Sequence, residues 1–119
     1  MKKYFANLDE SDRCIIESMC KAIESQRCFI ISTEKRWKFM VPAEDGSYVY
    51  DYTYNLIRFG FARKARNCDF MASQHSYCPH QHTSSVLAMF LNTAVDMGLY
   101  ERTTERKFDG GTDFQMIWM

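Results

Sequence analysis

The chain has 119 residues, of which 46% are apolar and 25% charged, and its 15 basic and 15 acidic side chains leave no net charge. This length and balance predict a single globular domain over residues 1–119 with a core of its own. Neutrality argues against a surface that is basic throughout, as in dedicated nucleic-acid binders, but it is compatible with a local basic patch.

The five cysteines are an odd number, and Met1 is followed by two lysines and Tyr4 rather than by an apolar run. Neither feature fits a secreted, disulfide-linked protein with a signal peptide. No segment approaches the roughly 18 apolar residues of a membrane-spanning helix. We therefore expect a cytoplasmic protein with reduced thiols and no membrane contact.

The first half of the chain is expected to form one helix and a small sheet. Asp9 can cap a helix over about 9–25, in which apolar residues recur at helical spacing. Short β-branched or alternating runs follow, with turn chemistry around Gly46. These runs predict a three-stranded meander over 28–32, 36–41 and 47–54.

The third of these strands carries tyrosine at every second position, at Tyr48, Tyr50, Tyr52 and Tyr54. In a strand all four rings share one face. The chain then becomes strongly basic and acid-free, with Arg58, Arg63, Lys64 and Arg66. Exposed rings beside basic side chains suit a protein contact or single-stranded nucleic acid. Alternatively, the row lies beneath a helix as core, which requires a partner for each hydroxyl.

The clearest helix is expected over 84–97, since its apolar side chains form one broad stripe and Gly98 suits a helix end. The stripe is predicted to be core and comprises Val86, Leu87, Phe90, Leu91 and Val95. Residues 99–108 and 114–118, joined by an Asp-Gly-Gly turn, predict a β-hairpin. The fold class is thus α+β, with two main helices packed on antiparallel sheet from the meander and the hairpin.

The segment from Asn92 to Arg102, with the hairpin after it, resembles the last helix and the wing of winged-helix domains. The resemblance covers about 83–118 and makes the C-terminal third winged-helix-like. It implies contact with nucleic acid or with protein. The helix 84–97 carries almost no basic residues, and only Asn92 offers the side-chain chemistry that reads base edges.

All three histidines and two cysteines fall in one window, as Cys68, His75, Cys78, His80 and His82. Thiolate and imidazole are ligands that zinc prefers. The window is expected to be a loop, and an extended backbone over 78–82 would place its cysteine and two histidines on one side. The spacing matches no known zinc motif. A solvated polar loop and a Cys–His pair for nucleophilic catalysis are the alternatives.

Three classes of function are compatible with these patterns. We favour a small non-enzymatic binding protein that docks on another macromolecule, preferably a protein, as accessory inhibitors and regulators of phages and mobile elements do. The contact would be made by the four tyrosines and the four basic residues that follow them. The alternatives are a winged-helix-like nucleic-acid-binding regulator, and a small zinc-binding module or zinc-dependent enzyme that uses the Cys/His window.

Overall fold

The computed structural model describes residues 4–32, 37–64, 70–72, 79–105 and 114–118. The helices within these ranges are α1 (Glu10–Glu24), α2 (Thr53–Arg58) and α3 (Pro79–Asp96). The strands are β1 (Phe29–Ser32), β2 (Trp37–Pro42), β3 (Val49–Asp51), β4 (Ala62–Lys64), β5 (Phe70–Ala72) and β6 (Gln115–Trp118). In the described part of the chain, no helix is long and apolar enough to cross a membrane.

The larger sheet has the strand order β3-β2-β1-β6. Its first three strands are antiparallel neighbours, which confirms the predicted meander and the α+β class. Strand β6 instead pairs in parallel with β1, with Ile30 opposite Met116. The sequence predicted a hairpin between 99–108 and 114–118, but residues 99–105 form no strand, so this prediction is wrong for them. Residues 106–113 lie outside the described ranges. Strands β4 and β5 form a separate antiparallel pair.

Helix α1 begins where the sequence predicts it to begin. The Asp9 carboxylate accepts a hydrogen bond from the Asp12 amide at 2.8 Å, and the Asp12 carboxylate accepts one from the Asp9 amide at 3.4 Å. This reciprocal capping box satisfies two backbone donors that have no partner inside the helix. The acidic first turn also meets the positive end of the helix dipole.

Helix α3 begins at Pro79, five residues before the predicted start. Proline suits the first helical position because its fixed φ is already helical and its missing N–H has no helical partner there. An extended backbone over 78–82, the condition for placing the cysteine and two histidines on one side, is therefore not met from residue 79 onward. The other end is as expected: Gly98 has φ +74°, its N–H donates to Val95, and the Leu99 N–H donates to Ala94 at 2.8 Å.

The core lies between one face of the large sheet and the helices. Ile30, Phe39 and Val41 are buried on that face, and Ile16 and Ile23 contribute from α1. Of the predicted apolar stripe on α3, Val86, Leu87, Phe90 and Leu91 are buried and Val95 is half-buried, so the prediction is largely confirmed.

Candidate functional site

Three of the predicted tyrosines form a continuous row along the edge of the sheet. The rings of Tyr50 and Tyr52 are stacked, with centroids 5.4 Å apart and planes 12° apart. Tyr48 meets Tyr50 edge to face at 4.7 Å, and their two hydroxyls are hydrogen-bonded to each other. This bond, together with desolvation, raises the pKa of Tyr50 to about 12. We call these three residues the tyrosine row.

Tyr54 doesn't belong to the row, and the prediction of four rings on one face is wrong at this position. Thr53 ends the strand, because its hydroxyl donates to Asp51 at 2.6 Å and accepts from the Phe39 amide at 2.8 Å. If the strand continued, a backbone carbonyl of the strand would accept the hydrogen bond from the Phe39 N–H. The Thr53 hydroxyl accepts it instead. The chain turns into α2 at Thr53, and Tyr54 lies on that helix with 61% of its side chain exposed.

The tyrosine row lies on the core-facing side of the sheet but extends beyond the part that is fully covered. Tyr50 is directly opposite the buried Val41, and residues opposite each other in a sheet share a face. Exposure grows along the row, since Tyr52 is half-buried whereas Tyr50 and Tyr48 are 39% and 53% exposed. The row is therefore neither all core nor all surface: its Tyr52 end packs against the core and its Tyr48 end is exposed.

A groove of about 480 Å³ runs between the tyrosine row and the C-terminal half of α1. Two basic side chains, Lys21 and Arg27, and two acidic ones, Glu44 and Asp45, line it beside the rings. Arg27 donates to the Ala43 carbonyl at 3.1 Å. Asp45 accepts two hydrogen bonds from Ser47, which lower its pKa and keep the carboxylate charged.

Among the side chains that the structure describes, the basic ones that line this groove are Lys21 and Arg27, and not Arg58, which was predicted for the contact. Arg58 donates to Asp12 at 2.6 Å and lies over the Phe59 ring at 5.0 Å, so it ties α2 to α1. This hydrogen bond lowers the pKa of Asp12. Arg63 and Lys64 lie on β4, and Arg66 lies outside the described residues. Sequence periodicity gave no signal for Lys21 and Arg27, because they are brought to the row by the α1–β1 turn and the sheet.

The Cys/His window falls largely outside the described residues. This applies to Cys68, His75 and Cys78, while His80 and His82 belong to the first turns of α3. The prediction of a loop is wrong in two places, since β5 and the start of α3 both lie in the window. Among the residues that the structure describes, no group of three metal-binding side chains is brought together.

Zinc binding by the window stays a prediction, and it has a direct test. If Cys68, His75, Cys78, His80 and His82 supply the ligands, protein purified without added metal should carry close to one equivalent of zinc. Its melting temperature should fall in chelator, because structural zinc contributes folding free energy. Elemental analysis that finds less than about 0.1 equivalents, with unchanged melting in chelator, would exclude this prediction.

A second polar cluster, which the sequence did not reveal, surrounds the carboxylate of Glu24 at the end of α1. Glu24 is buried and accepts hydrogen bonds from the Tyr100 hydroxyl at 2.6 Å and the Thr103 hydroxyl at 2.8 Å. The amides of Thr103 and Thr104 donate to it at 3.1 Å. Burial acts to raise the pKa of Glu24, but these bonds outweigh it and lower the pKa from 4.5 to about 2. The cluster fixes residues 100–104 against α1.

Comparison of the chain with protein-family models, with curated proteins and with solved structures gave no match.

Proposed function

We propose that this chain is a small binding protein that docks on a partner protein through the tyrosine row and the groove beside it. The observation that carries the proposal is the exposure of Tyr48 and Tyr50 on the core-facing side of the sheet. Large aromatic side chains are costly to leave in water, and each ring can bury a large area in a contact. Rings of limited rotational freedom also lose little conformational entropy on binding.

The charges of the groove favour a protein over a nucleic acid. Lys21 and Arg27 are balanced there by Glu44 and Asp45, and the carboxylate of Asp45 is held in its charged form. A phosphate backbone would meet these two acids within the same groove, whereas a protein surface can place both signs of charge. The match of two cations by two carboxylates in this groove weighs against the alternative of a nucleic-acid-binding regulator.

Within this proposal, the contact serves to inhibit or regulate the partner, as an accessory protein does. A groove that continues the core-facing side of the sheet suits an apolar or aromatic side chain of the partner, which would extend the core across the interface. Hot spots of protein interfaces are of this kind, with Tyr, Trp and Arg enriched at their centres. The paired charges at the groove walls would orient the partner rather than supply most of the affinity.

We expect the double variant Tyr48→Ala/Tyr50→Ala to weaken partner binding by about 30-fold or more, because both exposed rings of the row are removed. The partner would be identified by capture on immobilised wild-type protein, and the dissociation constants would be measured by biolayer interferometry. Tyr54→Ala is the matched control: the ring is equally aromatic and more exposed, but it lies on α2 outside the row.

The same measurement separates the two classes of partner. A protein partner should show a shallow dependence of affinity on salt, whereas nucleic acid should lose affinity steeply as counterions are released. Binding that is unchanged in the double variant, or reduced equally by Tyr54→Ala, would place the interface elsewhere. Near-UV circular dichroism of each variant would verify that the fold is retained.

A further inference from the structure

Exposed apolar side chains concentrate at one edge of the large sheet. Among the described residues, three consecutive large hydrophobic side chains, Tyr48, Val49 and Tyr50, are 53%, 46% and 39% exposed. They belong to or adjoin β3, which is the end strand of its sheet in the part of the chain that the structure describes. Natural edge strands resist association by being short or by carrying charged residues or proline. Strand β3 is short and ends at Asp51, but positions 48–50 carry neither a charge nor a proline.

The backbone of β3 also presents hydrogen-bonding groups that its own sheet doesn't use. The Tyr48 carbonyl accepts from Ala43 at 2.9 Å and the Tyr52 amide donates to Phe39 at 2.9 Å, so even-numbered residues point toward β2. Backbone groups alternate in direction along an antiparallel strand. The N–H and C=O of Val49 therefore point away from the sheet, where the backbone of a second extended strand can complement both.

We propose that the β3 edge pairs with the β3 edge of a second copy of this chain, antiparallel and centred on Val49. In this register the Val49 N–H of each copy donates to the Val49 carbonyl of the other. Each Tyr48 then lies opposite Tyr50 of the second copy, so the aromatic face continues across the contact. Aromatic and β-branched cross-strand pairs of this kind stabilise sheets.

The other antiparallel registers are less favourable for a symmetric pair. Centring on Asp51 would place two carboxylates directly opposite each other, which destabilises a sheet. Centring on Tyr50 would place each Val49 opposite Asp51 of the second copy. Only the Val49-centred register joins valine to valine and keeps the two Asp51 side chains apart. This self-complementarity is why a second copy, rather than a different strand, is the occupant we assign.

The contact is short, since β3 has only three residues. Stable interfaces bury more than about 1,000 Å² in total, so the dimer should be weak and reversible. The backbone pairing occurs in the plane of the sheet whereas the groove opens on its face, but both contacts use the exposed rings of Tyr48 and Tyr50. The variant Val49→Pro separates them, because it removes a backbone donor of the edge and leaves both rings in place.

The test is sedimentation equilibrium of the full chain from about 10 µM to about 1 mM, where weak association is visible. A reducing agent is needed because Cys14 is exposed and unpaired. The apparent mass should rise from 14.1 kDa toward twice that value. Val49→Pro, which removes the outward N–H, should weaken the dimer about tenfold or more. Val49→Thr keeps the N–H and the branched shape and should still dimerise.

A mass that stays at 14.1 kDa throughout would overturn the inference, as would a dimer that Val49→Pro leaves unchanged. Should that variant fail to fold, amide hydrogen exchange of the wild-type chain decides instead. The Val49 amide should exchange more slowly as concentration rises, because the dimer protects it. Exchange at Val49 that doesn't depend on concentration would contradict the pairing. Slowing confined to other amides would place the contact on another surface and contradict it too.

Discussion

Phe90→Ala should lower the free energy of unfolding by about 3–5 kcal/mol, the range for removing a buried aromatic side chain. Phe90 is fully buried, and its ring meets those of Phe5, Phe59 and Phe61 at 5.3, 6.3 and 5.1 Å. The ring therefore joins the N-terminal segment, the end of α2 and helix α3. Truncation leaves a cavity among three aromatic rings that cannot all move inward to fill it.

Urea denaturation followed by tryptophan fluorescence would measure this loss. Ser85→Ala is the control, because Ser85 is exposed on the same helix and its truncation should change the stability by no more than about 0.5 kcal/mol. A loss below about 1 kcal/mol in Phe90→Ala would show that the aromatic cluster is not the centre of the core.

Glu24→Gln should cost about 2–3 kcal/mol at neutral pH, because hydrogen bonds to a charged acceptor contribute more than those to a neutral one. The amide has only one acceptor oxygen, so it cannot accept all the hydrogen bonds from Tyr100, Thr103 and Thr104 that the two carboxylate oxygens now accept. Glu17→Gln is the matched control on the same helix. Glu17 is well exposed and, in the described part of the chain, forms an ion pair with Lys21 at 3.2 Å, so its change should cost less than about 0.5 kcal/mol.

The pH dependence gives this prediction a second readout. The pKa of Glu24 is lowered from 4.5 to about 2 on folding, so its contribution to stability is complete above the unfolded pKa. That contribution is lost as the pH falls from about 4.5 through about 2. The wild-type chain should therefore lose stability over this range faster than Glu24→Gln. Parallel curves for the two proteins would show that the Glu24 carboxylate is not the anchor of residues 100–104.

The sequence predicts the ends of those elements that are determined by neighbouring residues, such as helix caps. Asp9 and the acidic first turn locate the start of α1, and Gly98 locates the end of α3. The end of β3 could not be predicted in this way. It depends on the bond between the Thr53 hydroxyl and the Phe39 amide, 14 positions away in the chain. Alternating tyrosines favour a strand through Tyr54, and this tertiary contact overrides that preference.

Contacts between residues that are distant in the chain also explain why the sheet order and the groove could not be predicted. Strand β6 pairs in parallel with β1 across more than 80 positions, whereas turn chemistry in the sequence favours a local hairpin. The tyrosine row was predictable as a periodicity of two, but its exposure was not, because that depends on how far the helices extend over the sheet. Lys21, Arg27 and Glu24 gain their roles only when α1 lies beside the β2–β3 turn and residues 100–104.

Site-specific photo-cross-linking at Tyr48 tests the central claim, docking through the tyrosine row, most directly. A photoreactive phenylalanine analogue would replace Tyr48 in one protein and Tyr54 in another, and both would be irradiated in the cells in which the chain acts. We expect one discrete adduct with a different protein from position 48 and none from position 54. An adduct of twice the chain's own mass would report the β3 dimer instead. Identical adducts from both positions, or a nucleic-acid adduct from position 48, would contradict the proposal.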